Sequence, residues 1–259
     1  MKRIGWAVAA VFLMAMPAAA AQCGNTGSGF NAWKKEFSAE AKAAGVGSRG
    51  LKALAATSYA TATIKADRSQ HSFKLSLKQF MQKRGANAII SQGKRHKKSN
   101  ASLFAAIEKR YGVPAGPLIA IWGMETAFGK FTGSQNTVSA VATLAYDCRR
   151  PEFFTEQLIS ALKLVDRGVL SSKSRGAMHG EVGQTQFLPK NVLLYGADGD
   201  GGGINLNNKA DALASTAKFL RGHGFSGRGP YSAGDFAGWN AATVYQKALA
   251  IIANEIDGH

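Results

Sequence analysis

Residues 119–133 read IAIWGMETAFGKFTG, a run in which one carboxylate, Glu125, is set among apolar side chains. A charged acid almost never enters an apolar site unpaired, because desolvation favours its neutral form. Residues 117–127 read as a core helix with Glu125 close to its C-terminal end, four residues after Ile121 and three after Trp122. There the helix dipole disfavours negative charge. Trp122, Met124 and Phe128 are expected to exclude water, and Gly123 and Gly129 to let backbone or ligand approach closely. Dipole and burial both raise a carboxyl pKa, which is what a general acid working near neutral pH requires. The alternative is a surface glutamate that ends a core helix.

Outward from this helix, nearly every apolar pattern has helical period. Trp33, Phe37, Ala41 and Ala44 share a face, as do Phe73, Leu77, Phe80 and Met81. SNASLFAAIEKRYG (residues 99–112) begins with capping residues and carries Leu103, Phe104, Ile107 and Tyr111 on a stripe. It stops at Gly112, ahead of Pro114. Further helices fit 152–167, 187–194, 209–221 and 241–256, and no run alternates convincingly over six residues. The exception is YGADGDGGGINLNN (residues 195–208), whose glycines and short polar residues allow turns or a small hairpin. The fold class expected is predominantly α, a helical body with one small irregular or β lobe at 195–208.

Lys2 and Arg3 precede an apolar run from Ile4 to Met16, followed by Pro17 and four alanines. This reads as a secretory signal over residues 1–21, cleaved near Ala21, which leaves one domain over 22–259. Composition is that of a globular protein, 46% hydrophobic and 19% charged. The formal charge of +16 implies a polyanionic partner or anionic surface. Charge alone would suggest nucleic acid, but an exported protein meets the cell envelope first. The run GKRHKK at 93–98 has no interleaved aromatic to stack bases, and it reads as a solvated face or loop. Cys23 and Cys148 both survive processing into an oxidising compartment and are expected to pair, two free thiols being the alternative.

Two more stretches carry chemistry. GEVGQTQFLP (residues 180–189) supplies amides at Gln184 and Gln186, close-approach glycines and Phe187. Amides donate and accept together, as sugar hydroxyl and N-acetyl groups demand. GWNAATVY (residues 238–245) offers Trp239, Asn240 and Tyr245. Either stretch also reads as an ordinary turn or core-helix start.

Together WGMETAFG, ATLAYDCRRPEFF, GEVGQTQFLP and DALASTAKFLRGHGF resemble the lytic murein transglycosylases of the membrane-bound B type, a lysozyme-like family of glycoside lyases. The resemblance runs over roughly residues 30–256. It implies that Glu125 is the single catalytic acid/base, that Gln186 and Phe187 line the cleft beside it, and that Asn240 and Tyr245 are cleft residues. Trp239 stands where a tyrosine is often found. Arg149 and Arg150, in YDCRRP, occupy the place that meets the acidic groups of the peptide stem, for which an arginine fork is suited. Two departures stand out. Where some members carry a calcium loop, residues 198–203 read DGDGGG, which keeps Asp198 and Asp200 but lacks a third acid, so no metal or other cofactor is expected. Glu181 replaces a small residue, either as partner to a basic side chain or as a second carboxylate near the cleft.

The implied activity is cleavage of the β-1,4 bond after N-acetylmuramic acid in peptidoglycan, with closure of a 1,6-anhydro ring. The implied partner is the glycan strand with its peptide stems, met in the periplasm by a monomer associated peripherally with the envelope, and not nucleic acid. The rival readings are a muramidase, for which Glu181 or Asp147 would supply the second acid, and a non-catalytic glycan-binding protein.

Overall fold

The computed structural model describes residues 21–69 and 75–259. The expected signal segment, apart from Ala21, and Phe73 of the second apolar stripe lie outside the described residues. The helices in chain order are α1 (Phe30–Ala43), α2 (Ser48–Ala55), α3 (Thr61–Arg68), α4 (Leu77–Lys83), α5 (Ala86–Ser99) and α6 (Ala101–Tyr111). They continue with α7 (Ala115–Thr126), α8 (Thr137–Tyr146), α9 (Pro151–Asp166), α10 (Pro189–Tyr195), α11 (Lys209–Gly222) and α12 (Thr243–Asp257). Two two-residue strands, β1 (Gln135–Asn136) and β2 (Arg175–Gly176), pair antiparallel with Gln135 opposite Gly176. The predominantly α expectation holds.

Local chemistry sets the helix ends. α6 stops at Gly112, whose φ of 66° is left-handed. α7 starts two residues earlier than the apolar run suggests, because Pro114 is extended at the N-cap and Pro117 sits in the first turn, where a missing N–H is harmless. Pro151 opens α9 in the same way, with Glu152 in the first turn complementing the dipole. α8 and α11 are capped by the side chains of Asn136 and Asn208, which accept from Ser139 N and Ala210 N.

Two expectations need correction, and one alternative is decided. Phe187 does not begin a helix; it pairs with Val182 in an antiparallel bridge, and α10 starts only at Pro189. Of the turns or small hairpin expected at 195–208, the structure has turns over 196–208, with Tyr195 ending α10, and the one ladder among the described residues lies at 135–136 and 175–176. The GKRHKK run is neither a loop nor wholly solvated. It forms the second half of α5, where Gly93 is buried against Ile119 and Ile256, and the His96 ring packs 4.9 Å from Trp122 and 4.6 Å from Phe128.

The apolar side chains gather into two cores. α7 is central to the first, with α5, α6, α11 and α12 around it. The second joins α8 and α9 to α1, α2 and α10. Trp239 packs against both. Cys23 and Cys148 are bridged, with Cα atoms 5.0 Å apart, tying the segment before α1 to the corner between α8 and α9. Gly24 N donates to Tyr146 O at the same place, 2.9 Å away. Among the described residues no helix is long and apolar enough to cross a membrane.

Candidate active site

Eleven of the twelve residues of α7 are buried, and the remaining one is Glu125. A helix apolar on all sides belongs inside a core, so the one side chain with an opening is the acid. The helix ends abruptly just beyond it, because Ala127 (φ 48°), Phe128 (φ 64°) and Gly129 (φ 83°) are all left-handed. Two non-glycine residues in that region store strain, and Thr126 offsets it. Its hydroxyl accepts from Gly129 N at 2.9 Å and donates to Gln184 O at 2.6 Å, fastening the turn to the neighbouring loop.

Two donors converge on one oxygen of Glu125. Tyr245 OH, from the first turn of α12, donates to Oε1 at 2.6 Å, and Trp239 Nε1 donates to the same atom at 3.0 Å. Among the described residues no donor reaches Oε2. A proton on this carboxyl therefore sits on Oε2, the oxygen left without a donor. Burial pushes the Glu125 carboxyl above its ordinary value; the bonds from Tyr245 and Trp239 and the charge of Arg84 pull against it, and the charge of Glu181 adds to it. The Tyr245 phenol is pushed well up by burial and by the Glu125 charge and hydrogen bond, so it remains a donor. Water is excluded here by Trp239 and Tyr245, over a hundred positions along the chain, rather than by the sequence neighbours proposed for that role. Trp122 and Phe128 pack on each other and on His96, and Met124 is buried in the core.

Glu125 opens onto a cavity of about 280 Å³ that also exposes Glu181, Gln186, Phe187, Leu188, Asn191, Phe219, Trp239 and Asn240. That is the lower end of the range for small-ligand sites, so the cavity matches a single ring of a longer ligand lying across open surface. Phe187, Phe219 and Trp239 form an aromatic triad, each ring 5.3–5.8 Å from the other two. Gln186 adopts φ 55° and donates through Nε2 to Gly183 O and Thr132 O. Its Oε1 takes no donor among the described residues, which leaves it to accept from a ligand. Asn240 accepts from Ala242 N through Oδ1, leaving its amino group as donor.

Not every residue read from the sequence meets at this cavity. Glu125, Gln186, Phe187, Trp239 and Asn240 line it, and Tyr245 reaches it through Glu125. Gln184 does not line it. Its amide oxygen accepts from Trp122 Nε1 at 2.8 Å and its amino group donates to Asn207 O at 2.6 Å, so the side chain clamps α7 to the 195–208 loop. Asp147 is buried under Arg68, 2.6 Å away, and accepts from Arg149 N; it is not a cavity residue. Arg149 and Arg150 both bind the carboxylate of Asp67, which is 2% exposed, and are set back from the cavity. Their side chains are 42% and 40% exposed, so each arginine is reachable from solvent while it holds Asp67.

A chain of polar contacts links those arginines to the cavity. His179 Nε2 lies 3.8 Å from Asp67 Oδ1, and His179 Nδ1 lies 3.5 Å from Glu181 Oε1. His179 N donates to Glu181 Oε2 at 3.0 Å. Burial pushes Glu181 up, but the His179 ring and backbone N–H outweigh it and hold the carboxyl below its ordinary value. The two cavity carboxyls are thus displaced in opposite directions. Sequence reasoning flagged Glu181 but missed Phe219, Asp67 and His179. Phe219 falls within a quoted motif; the other two carry no local pattern.

Asp198, Asp200 and Asp211 bring carboxylate oxygens within 4.8 Å of one another. Asp198 accepts from the backbone N–H groups of 200, 201 and 203, Asp211 from those of 199 and 205, and Asp200 from Gly202 N and Asn208 Nδ2. Calcium takes six to eight oxygens. The third acid that residues 198–203 lack is supplied from α11 by Asp211, and all three carboxylates also accept donors of the surrounding turns.

The model of the family described as transglycosylase SLT domain matches residues 29–234, ending ahead of Trp239. Membrane-bound lytic murein transglycosylase B of Escherichia coli (strain K12) is 34% identical over 118 residues, which is 44% of this chain and 33% of that protein. The chain thus aligns with about a third of the length of this curated relative. SltB3 from Pseudomonas aeruginosa, solved in complex with NAG-anhNAM-pentapeptide, matches with TM-score 0.71 and 35% identity over 76% of this chain and 54% of that one. Its complex with NAG-NAM-pentapeptide matches with TM-score 0.81 and 26% identity over 90% and 81%. The Escherichia coli lytic transglycosylase Slt35, at 18% identity and TM-score 0.77 over 94% and 98%, shares the fold. With the family model covering most of its length, this chain belongs to the transglycosylase SLT domain family.

Proposed function

We propose that this protein is a peptidoglycan lytic transglycosylase that cleaves the β-1,4 bond between N-acetylmuramic acid and N-acetylglucosamine and leaves a 1,6-anhydromuramic end. The observation that carries the reading is the placement of Glu125, a carboxyl that burial pushes above its ordinary value, lining the cavity with both internal donors on Oε1 and none on Oε2. Family membership and the peptidoglycan fragments bound by SltB3 support the substrate class.

Glu125 Oε2 gives its proton to the glycosidic oxygen as the bond from C1 breaks. The carboxylate formed is held by Tyr245 OH and Trp239 Nε1, whose bonds strengthen as charge appears on Oε1. The same carboxylate then takes the proton of the muramic C6 hydroxyl, and O6 closes on C1. Acid and base are one group, no water enters, and the attacking hydroxyl is tethered to the reacting ring. Phe187, Phe219 and Trp239 offer aromatic faces to the sugar, while Gln186, Asn191 and Asn240 offer amides to its hydroxyl and acetamido groups. Arg149 and Arg150, reachable from solvent, receive the carboxylates of the peptide stem. The reading includes export to the periplasm, action as a monomer, and peripheral association of a chain of formal charge +16 with the anionic envelope.

The muramidase reading rests on one observation, that Glu181 faces the same cavity as Glu125. Digestion of purified sacculi in heavy-oxygen water separates the two. A transglycosylase releases unlabelled 1,6-anhydro muropeptides, each one water lighter than the hydrolytic product; label at C1 with accumulating reducing ends makes the protein a hydrolase.

A further inference from the structure

Glu181 is built into the cavity wall and is not a stray surface acid. The loop that carries it folds on itself, with Ala177 N donating to Glu181 O at 2.8 Å and Gly180, at φ 89°, donating to Ala177 O at 3.1 Å. Gly176 lies so close beneath that a Cβ there would meet Glu181 O. The carboxylate is gripped twice by one residue, through His179 N and the His179 ring, and that ring is backed by Asp67, itself held by Arg149 and Arg150. The side chain stays 25% exposed, opening onto the space that Glu125 faces. A purely structural ion pair has no need to present its acid to the cavity. A water-activating base would have to approach and then receive a proton, for which a carboxyl gripped by two donors is badly suited.

We propose that Glu181 is the fixed negative charge of the cavity, a positioning residue that faces Glu125 across the shared space, opposes ionisation of that acid, and faces the positive charge that builds on the sugar as the glycosidic bond breaks. This rests on the transglycosylase reading only for the sugar; the effect on Glu125 stands without it. Glu125 is faced by Tyr245 from α12, by Trp239, by Arg84 just after α4, and by Glu181. Of these, Glu181 alone favours the protonated acid, so removing it leaves the others to draw Glu125 downward. His179, its ring backed by Asp67, fixes where the charge sits, and its ring and backbone N–H hold the Glu181 carboxyl below its ordinary value.

The test is Glu181→Gln, which keeps the shape and an acceptor for His179 N, with Glu181→Asp as the charge-retaining control. Glu125 is followed by carboxyl carbon-13 NMR titration of the unliganded protein, and kcat and product are followed on sacculi. Glu181→Gln is expected to move the Glu125 titration and the alkaline limb of kcat down together, because one negative charge facing the acid is removed from a cavity of low effective dielectric. At neutral pH kcat falls about tenfold, while the product remains the unlabelled anhydro sugar; Glu181→Asp keeps most of both. An unmoved Glu125 titration overturns the proposal, even in a protein that cleaves nothing, which would instead overturn the transglycosylase reading. Wild-type products that carry heavy oxygen, together with complete loss of turnover in Glu181→Gln, would make Glu181 the water-activating base and overturn both.

Discussion

Glu125→Gln separates catalysis from stability in a way that depends on pH. The amide keeps the length of the side chain, and its oxygen can still accept from Trp239 Nε1 and Tyr245 OH, now 3.0 and 2.6 Å from Oε1. It has no proton to deliver. Loss of a general acid costs about 10²–10⁴ in rate, or roughly 3–5 kcal/mol of barrier. Stability should move the other way. Burial raises the folded-state pKa of Glu125 above its unfolded value, so between the two the folded protein holds a proton that the unfolded chain has lost. Wild-type stability then falls with pH by up to about 1.4 kcal/mol per unit relative to the Gln variant. The contribution is fully present below the unfolded glutamate range and is lost as pH rises through the folded pKa. Melting curves of the two proteins should coincide near pH 4 and separate toward neutrality, the variant melting higher, while muropeptide release in the variant is nearly abolished. A melting difference that is flat with pH, or turnover above about a tenth of wild type, refutes the assignment of the buried proton to Glu125.

Tyr245→Phe removes the donor at 2.6 Å, whose bond lowers the Glu125 pKa, so the alkaline limb of activity should rise, opposite to Glu181→Gln, in a kcat–pH profile. The Cys23–Cys148 bridge spans 125 positions, which in the chain-entropy account is worth at most about 5 kcal/mol, or some 10–20 °C of melting temperature for a chain of this size. Reduction should lower the melting point toward that limit, and two titratable thiols in the unreduced protein would remove the bridge from consideration. The double change Arg149→Ala with Arg150→Ala leaves buried Asp67 without either guanidinium and should cost about 1–3 kcal/mol. Adding Asp67→Asn should restore stability in urea melts but not the preference for stem-bearing over stem-free glycan; recovery of both would assign the arginines to folding alone.

The legible parts of the sequence were those with a local cause. α6 announced itself through its stripe and Gly112, and the helix read over 152–167 is α9, one residue longer at its start where Pro151 opens it. α8 was silent because all ten of its residues are buried, and a helix with no wet face has no polar phase to read. At the site, Glu125 stood out because a lone acid in an apolar run is conspicuous. Gln184 was misplaced because an amide that binds a sugar and an amide that clamps Trp122 to Asn207 look alike in a string of letters. Asp67 and His179 were invisible. Asp67 has meaning only beside residues about eighty to over a hundred positions away, and His179, although it holds Glu181 two residues on, joins the arginine cluster only through Asp67.

The burial of α7 also divides the labour of change across the cavity. A substitution almost anywhere on that helix alters core packing first, so it is selected for folding before it is selected for chemistry. Much of the rest of the cavity wall, including Gln186 to Leu188 and Trp239 to Asn240, is loop or turn whose backbone is fixed by a few hydrogen bonds. Variation there reshapes what fits without disturbing how the proton is held. A lineage can therefore retune its choice of glycan or stem while inheriting the acid unchanged, and an inhibitor built against Oε2 of Glu125 meets the part of the cavity least able to drift away from it.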